Sequence, residues 1–275
     1  MWKHKYYVKE VYTMKKEGKK SVYARYGIEY ANGKIKSEKY GFVNEMLIDG
    51  NAKIGKGCFH FSMLPTNQLF NVIVNNMSYT VKGTCVCNCN GCYATKGNYR
   101  FQSTINSLGI RTLLAREELD FVERAIKAQI EADHIEAIRI HAAGDFDSKE
   151  YLDMWVRIVS MFPNVKFWTY TKVREFENAF NGFENANIVK SVIPGHGFNF
   201  GHCDYIESVY NTLASENKTV HICKCGIDKN QHCTNCKGCS VNEYVLFIEH
   251  STDYNAEKDP NLAKIRALIE KQKNA

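Results

Sequence analysis

Four cysteines fall within eight residues in the stretch Thr84-Cys85-Val86-Cys87-Asn88-Cys89-Asn90-Gly91-Cys92-Tyr93-Ala94. Cysteines buried as small apolar residues occur singly, whereas thiolates that serve one soft metal centre crowd into a loop that can curl round it. Cys85, Cys89 and Cys92 read as C-x3-C-x2-C. A closed structural zinc site needs four ligands, so three thiolates leave one metal position open for chemistry. This favours an iron-sulfur cluster over zinc, with Cys87 as a spare thiol. A second set lies near the end of the chain: Cys223, Cys225, Cys233, Cys236 and Cys239. Cys233, Cys236 and Cys239 repeat the x2 spacing of ferredoxin ligands, and Cys223 or Cys225 supplies a fourth; the set we carry forward is Cys225, Cys233, Cys236 and Cys239. Both a second [4Fe-4S] cluster and a four-cysteine zinc site fit that pattern. Cys58 stands alone and reads as buried filler. His196, His202 and Cys203 sit in a glycine-rich stretch, 194–203, that reads as a lid, since their spacing matches no recognised zinc site.

The elements that must position these thiols alternate. Phe70 to Val81 reads as a strand feeding the first cysteine loop, and Thr104 to Ala132 carries helical periodicity that Gly109 would split. Ala137 to Ala142 reads as a strand, followed by a helix that Asp147 and Glu150 would cap and Pro163 would stop. Val165 to Thr171 is a further strand, Val173 to Phe180 a short helix, Ala186 to Ile193 another strand, Tyr244 to Glu249 a last strand and Asp259 to Asn274 a closing helix. Strand-helix alternation implies a parallel sheet with right-handed crossovers, hence an α/β fold with a complete or partial (β/α) barrel. The expected organisation is a basic β-hairpin extension over 1–47, a barrel core over 48–215 and a cysteine-rich metal-binding region over 216–275. In such folds function gathers at the C-terminal ends of strands, which selects Gly144, Asp145, Thr169, Thr171, Lys172 and Ser191. Asp145 has a plainer reading as a cap on the following helix, Lys172 as a surface lysine, and His141 as a hydrogen-bonded core residue.

The 275 residues, 44% hydrophobic and 24% charged, have ordinary globular composition. Eleven cysteines form an odd count at ligand spacings, which argues against a disulfide framework. The opening Met1-Trp2-Lys3-His4-Lys5 does not read as a signal peptide, and no apolar run reaches the roughly 20 residues of a membrane span. A reducing cytoplasm without membrane contact is therefore the expected setting. Net charge is +6, and the first 40 residues alone hold eleven Lys/Arg against four Asp/Glu. Interleaved tyrosines there allow a nucleic-acid surface, while alternation over Ser21–Ile28 and the Asn32-Gly33 turn predict a hairpin with solvated lysines.

The C-x3-C-x2-C loop resembles the cluster motif of the radical S-adenosylmethionine (SAM) enzymes, with Gly91 where those enzymes carry an aromatic residue and Tyr93 just after the third cysteine. Further stretches resemble a family of bacteriophage proteins named after the product of gene 88: Gly50–Gly55, Phe61–Pro65, Cys92–Ala94, Arg139–Phe146, Phe167–Lys172 and the cysteine-rich tail. The resemblance covers the chain from about Ile48 onward. It implies a radical SAM-type iron-sulfur enzyme in which a cluster on Cys85, Cys89 and Cys92 reduces SAM to a 5′-deoxyadenosyl radical. It also implies a reductant such as ferredoxin or flavodoxin, and SAM contacts from Tyr93, Gly144, Asp145, Lys172 and Ser191, with Ala143-Gly144-Asp145 similar to a Gly-Gly-Glu stretch that receives the SAM amine. It names no substrate. Two rival readings are a zinc-stapled nucleic-acid-binding protein and an iron-sulfur electron carrier.

Overall fold

The structure is a computed structural model that describes residues 18–50, 54–86, 92–191, 200–224, 227–228, 230–233, 236, 238–248 and 255–273. Cys87, Cys89 and Cys225, and the lid residues up to 199, lie outside the described residues.

The Ser21–Ile28 alternation that predicts a strand is instead helical: α1 spans Lys19–Arg25. Val22, Tyr23 and Tyr26 also satisfy a helical repeat, and burial of Val22 and Tyr23, with Tyr23 in the main core, decides between the two periods. Arg25 pairs with Glu131 at 3.1 Å, which ties this helix to a later one. The hairpin at Asn32-Gly33 does form, joining β1 (Tyr30–Ala31) to β2 (Lys34–Ser37), with both turn residues at positive φ. Strand β3 (Gly41–Asn44) completes this antiparallel sheet. Tyr23, Ile35, Val43 and Met46 belong to the main core, so this region is part of the body of the fold.

The principal sheet takes β4 (Ile48–Asp49) and β5 (Phe59–Phe61), then β8 (Ala137–Ile140), β9 (Lys166–Thr171) and β10 (Ala186–Lys190). Its order is β10-β9-β8-β5-β4, with the first four strands parallel and β4 antiparallel at the edge. It is open, and no closed barrel is present among the described residues. Between β5 and β8 the chain inserts β6 (Leu69–Val74), β7 (Met77–Lys82), the first cysteine loop, α2 (Gln102–Glu117) and α3 (Leu119–Asp133). Helix α4 (Lys149–Met161) joins β8 to β9. Alternation along the strands sends Phe61, Ile138, Ile140 and Phe167 toward the helices, where they share a core with Val122, Ile126, Trp155 and Ile158. His60, Arg139 and Trp168, which are in register with one another, occupy the opposite face.

Several boundaries differ from the sequence expectations. Phe70–Val81 is two antiparallel strands turned at Asn75 and Asn76, both at positive φ, rather than one. The helical stretch breaks at Glu118, and Gly109 lies inside α2, where its missing side chain makes room for Val72. Ser148 caps α4 by accepting from the Tyr151 amide, while Asp147 pairs with Arg116. The expected helix over 173–180 is reduced to a single turn, Arg174–Phe176.

The other end of the chain builds a second sheet. It holds β11 (Phe200–Gly201), α5 (Cys203–Ser215), β12 (Val220–Cys223), α6 (Gly238–Val241), β13 (Tyr244–Ile248) and α7 (Leu262–Lys273). The sheet is parallel in the order β11-β13-β12. Cys203, Ile206, Ile222, Leu246, Ile248 and Ile265 form its own core, so α5 packs with the tail and the division falls nearer residue 200 than 215. No helix among the described residues is long and apolar enough to cross a membrane.

A Cβ at Gly109 would stand 2.3 Å from Val72 Cγ2. Alanine is favoured in a helix by about 1 kcal/mol over glycine, but overpacking costs about 1–3 kcal/mol. Gly109→Ala is therefore expected to lower stability in urea melts, and adding Val72→Ala should recover part of the loss. Additive effects of the two substitutions would refute this contact.

Candidate metal centres and the strand ends

Strand β5 continues past Phe61 as an extended segment beside the end of β8, with His141 N donating to Phe61 O at 2.8 Å and Met63 N to Ala143 O at 3.0 Å. After the β6–β7 hairpin the chain returns to this segment. Thr84 N donates to Leu64 O at 3.0 Å and Cys85 N to Thr66 O at 2.9 Å, so the first cysteine loop departs from the C-terminal end of β5. Gly83 makes the return possible, since a Cβ there would lie 2.1 Å from Pro65 O.

Buried Thr84 joins the loop to the next strand. Its hydroxyl donates to Leu64 O and accepts from Asp145 N, both at 3.0 Å. Gly144 has φ +87°, and a Cβ on it would meet Thr84 Oγ1 at 2.8 Å and Met63 at 3.1 Å, so only glycine fits. Sequence reasoning passed over Thr84; its place directly before the first cysteine was the available signal.

Asp145 is buried and bonded within the chain. Oδ1 accepts from Thr171 Oγ1 and Phe146 N, each at 2.8 Å, and Oδ2 from Lys172 N at 3.0 Å. The carboxylate thus laces the end of β8 to the end of β9. Burial pushes its pKa up from 3.8 to about 6, against these hydrogen bonds and the charge of Lys172. Ser191 extends the same rim, its amide donating to Thr171 O at 3.2 Å. Tyr93 leans back over the sheet: its hydroxyl donates to Ala142 O, and its ring meets the edge of Tyr99 at 5.8 Å. Cys92 packs against the main core and Cys85 is partly exposed. Cys85, Cys92, Tyr93, Gly144, Asp145, Lys172 and Ser191 therefore share one end of the parallel sheet. His141 is a core residue, with Nε2 2.9 Å from Tyr151 Oη and its pKa lowered to about 3, first by burial and then by Arg139.

The tail cysteines meet the opposite face of the sheet. Cys58, Cys223, Cys233 and Cys239 share a packed cluster with Trp168 and Tyr170. Tyr170 donates its hydroxyl to Cys239 Sγ at 2.7 Å, and Asn187 Nδ2 holds the carbonyls of Cys239 and Asn242 at 2.8 and 2.9 Å. Cys236 Sγ lies 3.5 Å from His221 Nε2. Burial raises the thiol pKa of both Cys236 and Cys239, and Cys223 and Cys233 raise each further. Burial likewise pushes Cys58 up to about 12. Among the described residues no three His, Cys, Asp or Glu side chains are arranged to hold a metal ion. The charged groups that act against these shifts are cations, Arg139 beside Cys239 and Lys224 beside Cys236.

Four of the six described Lys and Arg residues before residue 41 are in ion pairs. Lys19 pairs with Glu45 and Asp133, Arg25 with Glu131, Lys36 with Glu29 and Lys39 with Glu117.

The sequence pattern of the family described as Gene product 88 matches residues 46–237, from just before β4 to just after Cys236. The chain belongs to that family. The matched stretch contains the first cysteine loop, the strand ends and most of the tail thiols. Over 63 residues the chain is 38% identical to the Gene 88 protein of Mycobacterium phage D29. That alignment covers 23% of this chain and 25% of the phage protein, so the chain aligns with about a quarter of its relative. No solved structure matches.

Asparagine at position 145 would turn an NH2 group toward one of the donors that now face a carboxylate oxygen. Asp145→Asn is expected to lower stability by about 1–3 kcal/mol. Because the folded pKa is raised, stability from the protonated acid is present below pH 3.8 and is lost as pH rises through about 6. The gap between wild type and Asp145→Asn should narrow across that window in melts recorded against pH. A constant gap would show that the carboxyl does not titrate there.

Proposed function

We propose that the protein is a radical SAM-type enzyme whose open iron-sulfur site is held by Cys85, Cys89 and Cys92. The observation that supports this reading is the lacing at the strand ends. Thr84 carries the start of the cysteine loop on the end of β5 and, through the same hydroxyl, holds Gly144-Asp145 at the end of β8. The loop therefore starts at the C-terminal ends of β5 and β8, the end of the sheet where α/β enzymes place their chemistry.

When bound, the cluster would supply one electron to SAM, whose C5′–S bond divides into methionine and a 5′-deoxyadenosyl radical that takes hydrogen from a substrate. The chain's own residues orient the ligand. Gly144 allows the backbone to approach closely, because a side chain there would strike Thr84 and Met63. Lys172 supplies a cation for the methionine carboxylate, and Asp145 fixes the Lys172 backbone through the 3.0 Å bond to its amide. In this arrangement Asp145 is a positioning residue, since its described bonds all come from the chain. Tyr93 and Ser191 line the same rim. The ion pairs of Lys19, Arg25, Lys36 and Lys39 give less support to a nucleic-acid surface over the described N-terminal residues.

Anaerobic reconstitution with iron and sulfide is the test. The expected product is a brown protein absorbing near 400 nm that, with dithionite, converts SAM to 5′-deoxyadenosine. The variant with alanine at Cys85, Cys89 and Cys92 should lose that conversion entirely. A colourless protein that takes up only zinc, or a reconstituted cluster that leaves SAM intact, would overturn the proposal.

A further inference from the structure

Three residues stand in register across the main sheet, on the face opposite its helices: His60 on β5, Arg139 on β8 and Trp168 on β9. Neighbouring strands are about 4.8 Å apart, so the three side chains rise from one short row. Each carries an N–H donor without an acceptor. Arg139 Nε and Trp168 Nε1 are shut off from solvent and have no hydrogen-bond partner. His60 is neutral, its pKa lowered to about 4 by burial and by the cations Arg111 and Arg139. Its Nδ1 lies 3.0 Å from Ser62 Oγ, which accepts from Ala142 N at 3.1 Å. With the Ser62 hydroxyl proton directed at Nδ1, the ring proton sits on Nε2, which has no partner among the described residues. Buried N–H groups are normally paired, so three unpaired donors on adjoining strands call for an acceptor.

The middle residue of the row is a cation, and among the described residues its side chain has neither a hydrogen bond nor an ion pair. Its guanidinium stacks on the Tyr170 ring, 4.9 Å from the centroid. The groups that act on it are Tyr93, Tyr170, Cys233 and Cys239, hydroxyls and thiols that are neutral when protonated. Burying a guanidinium without a counter-anion is unfavourable, so the row holds a place for negative charge. Arg139 sits deep in the fold, yet part of its surface stays accessible, which leaves an approach for a ligand.

We propose that His60, Arg139 and Trp168 form a binding site for an oxyanion, the carboxylate or phosphate group of a small organic molecule. Arg139 supplies the charge, and the N–H groups of His60 and Trp168 are the flanking donors. A guanidinium presents a planar fork that pairs with two oxygens of either group, and stacking on Tyr170 fixes the plane of that fork. None of the three residues is among those assigned to SAM, and the site does not depend on SAM cleavage.

The test uses the full chain without SAM, titrated at constant ionic strength with sodium phosphate or sodium acetate against a chloride reference and read by calorimetry and thermal melting. At least one anion should bind saturably and raise the melting temperature, and the tighter of the two identifies the oxyanion. Arg139→Met should weaken that binding by about tenfold or more, whereas Lys172→Met, at the rim, should keep it. In chloride alone Arg139→Met should melt no lower than the parent chain, because the substitution removes a buried charge that lacks a partner. His60→Leu should weaken binding severalfold, and His60→Gln, which keeps an N–H donor, should recover part of the loss. Saturable binding of neither anion, or unchanged binding in Arg139→Met, would overturn the site. A folded Arg139→Met that melts well below the parent in chloride would show that the chain itself supplies the counter-charge, as a Cys239 thiolate would, and would overturn it as well. Unchanged affinity in His60→Leu would remove His60 from the row of donors.

Discussion

The hydroxyl of Thr84 donates to Leu64 O and accepts from Asp145 N, and the arrangement at the top of the parallel sheet rests on that pair of bonds. The hairpin before Thr84 packs on α2 through Val72, and this pair of bonds adds a tie to the main sheet. With it, the loop takes its position from β5 and β8, two adjoining strands of the main sheet. The glycine at 144 follows from the same contact, because threonine and a Cβ compete for one volume. Asp145 then extends the lacing outward to Thr171 and Lys172 on β9.

The two faces of the sheet are divided by chemistry as well as by packing. One carries Phe61, Ile138, Ile140 and Phe167 against three helices in a continuous apolar core. The other presents His60, Arg139 and Tyr170, polar groups that an apolar layer could not satisfy. The cysteine-rich tail covers part of that second face, and sulfur is suited to the task. A thiol packs like a small apolar group, as Cys58, Cys223 and Cys239 do in a cluster with Trp168.

Strands β8, β9 and β10 and helix α4 were legible in the sequence because their periods are clear and Pro163 punctuates them. The strand ends that carry Gly144, Lys172 and Ser191 followed from the same reading. What was not legible has identifiable physical causes. Strand β5 has only three residues, too few for a period, and its partner β8 lies far along the chain. Helix α1 was hidden because Val22, Tyr23 and Tyr26 fit both a period of two and one near 3.6, so burial had to choose. The β6–β7 turn uses Asn75-Asn76 at positive φ in place of the more recognisable Asn-Gly. Thr84 escaped notice because its importance lies in two hydrogen bonds to distant backbone atoms.

The tail sheet also sets an order of events. Strands β11 and β12 do not pair with each other; each pairs with β13, which lies between them. The central strand is therefore the last of the three to leave the ribosome. Until it arrives, β12 has no described ladder partner to fix Cys223. The parallel body and the tail sheet thus mature at different times: the body can close around its own core when residue 190 has been made, whereas β11 and β12 join one sheet only once β13 has followed them.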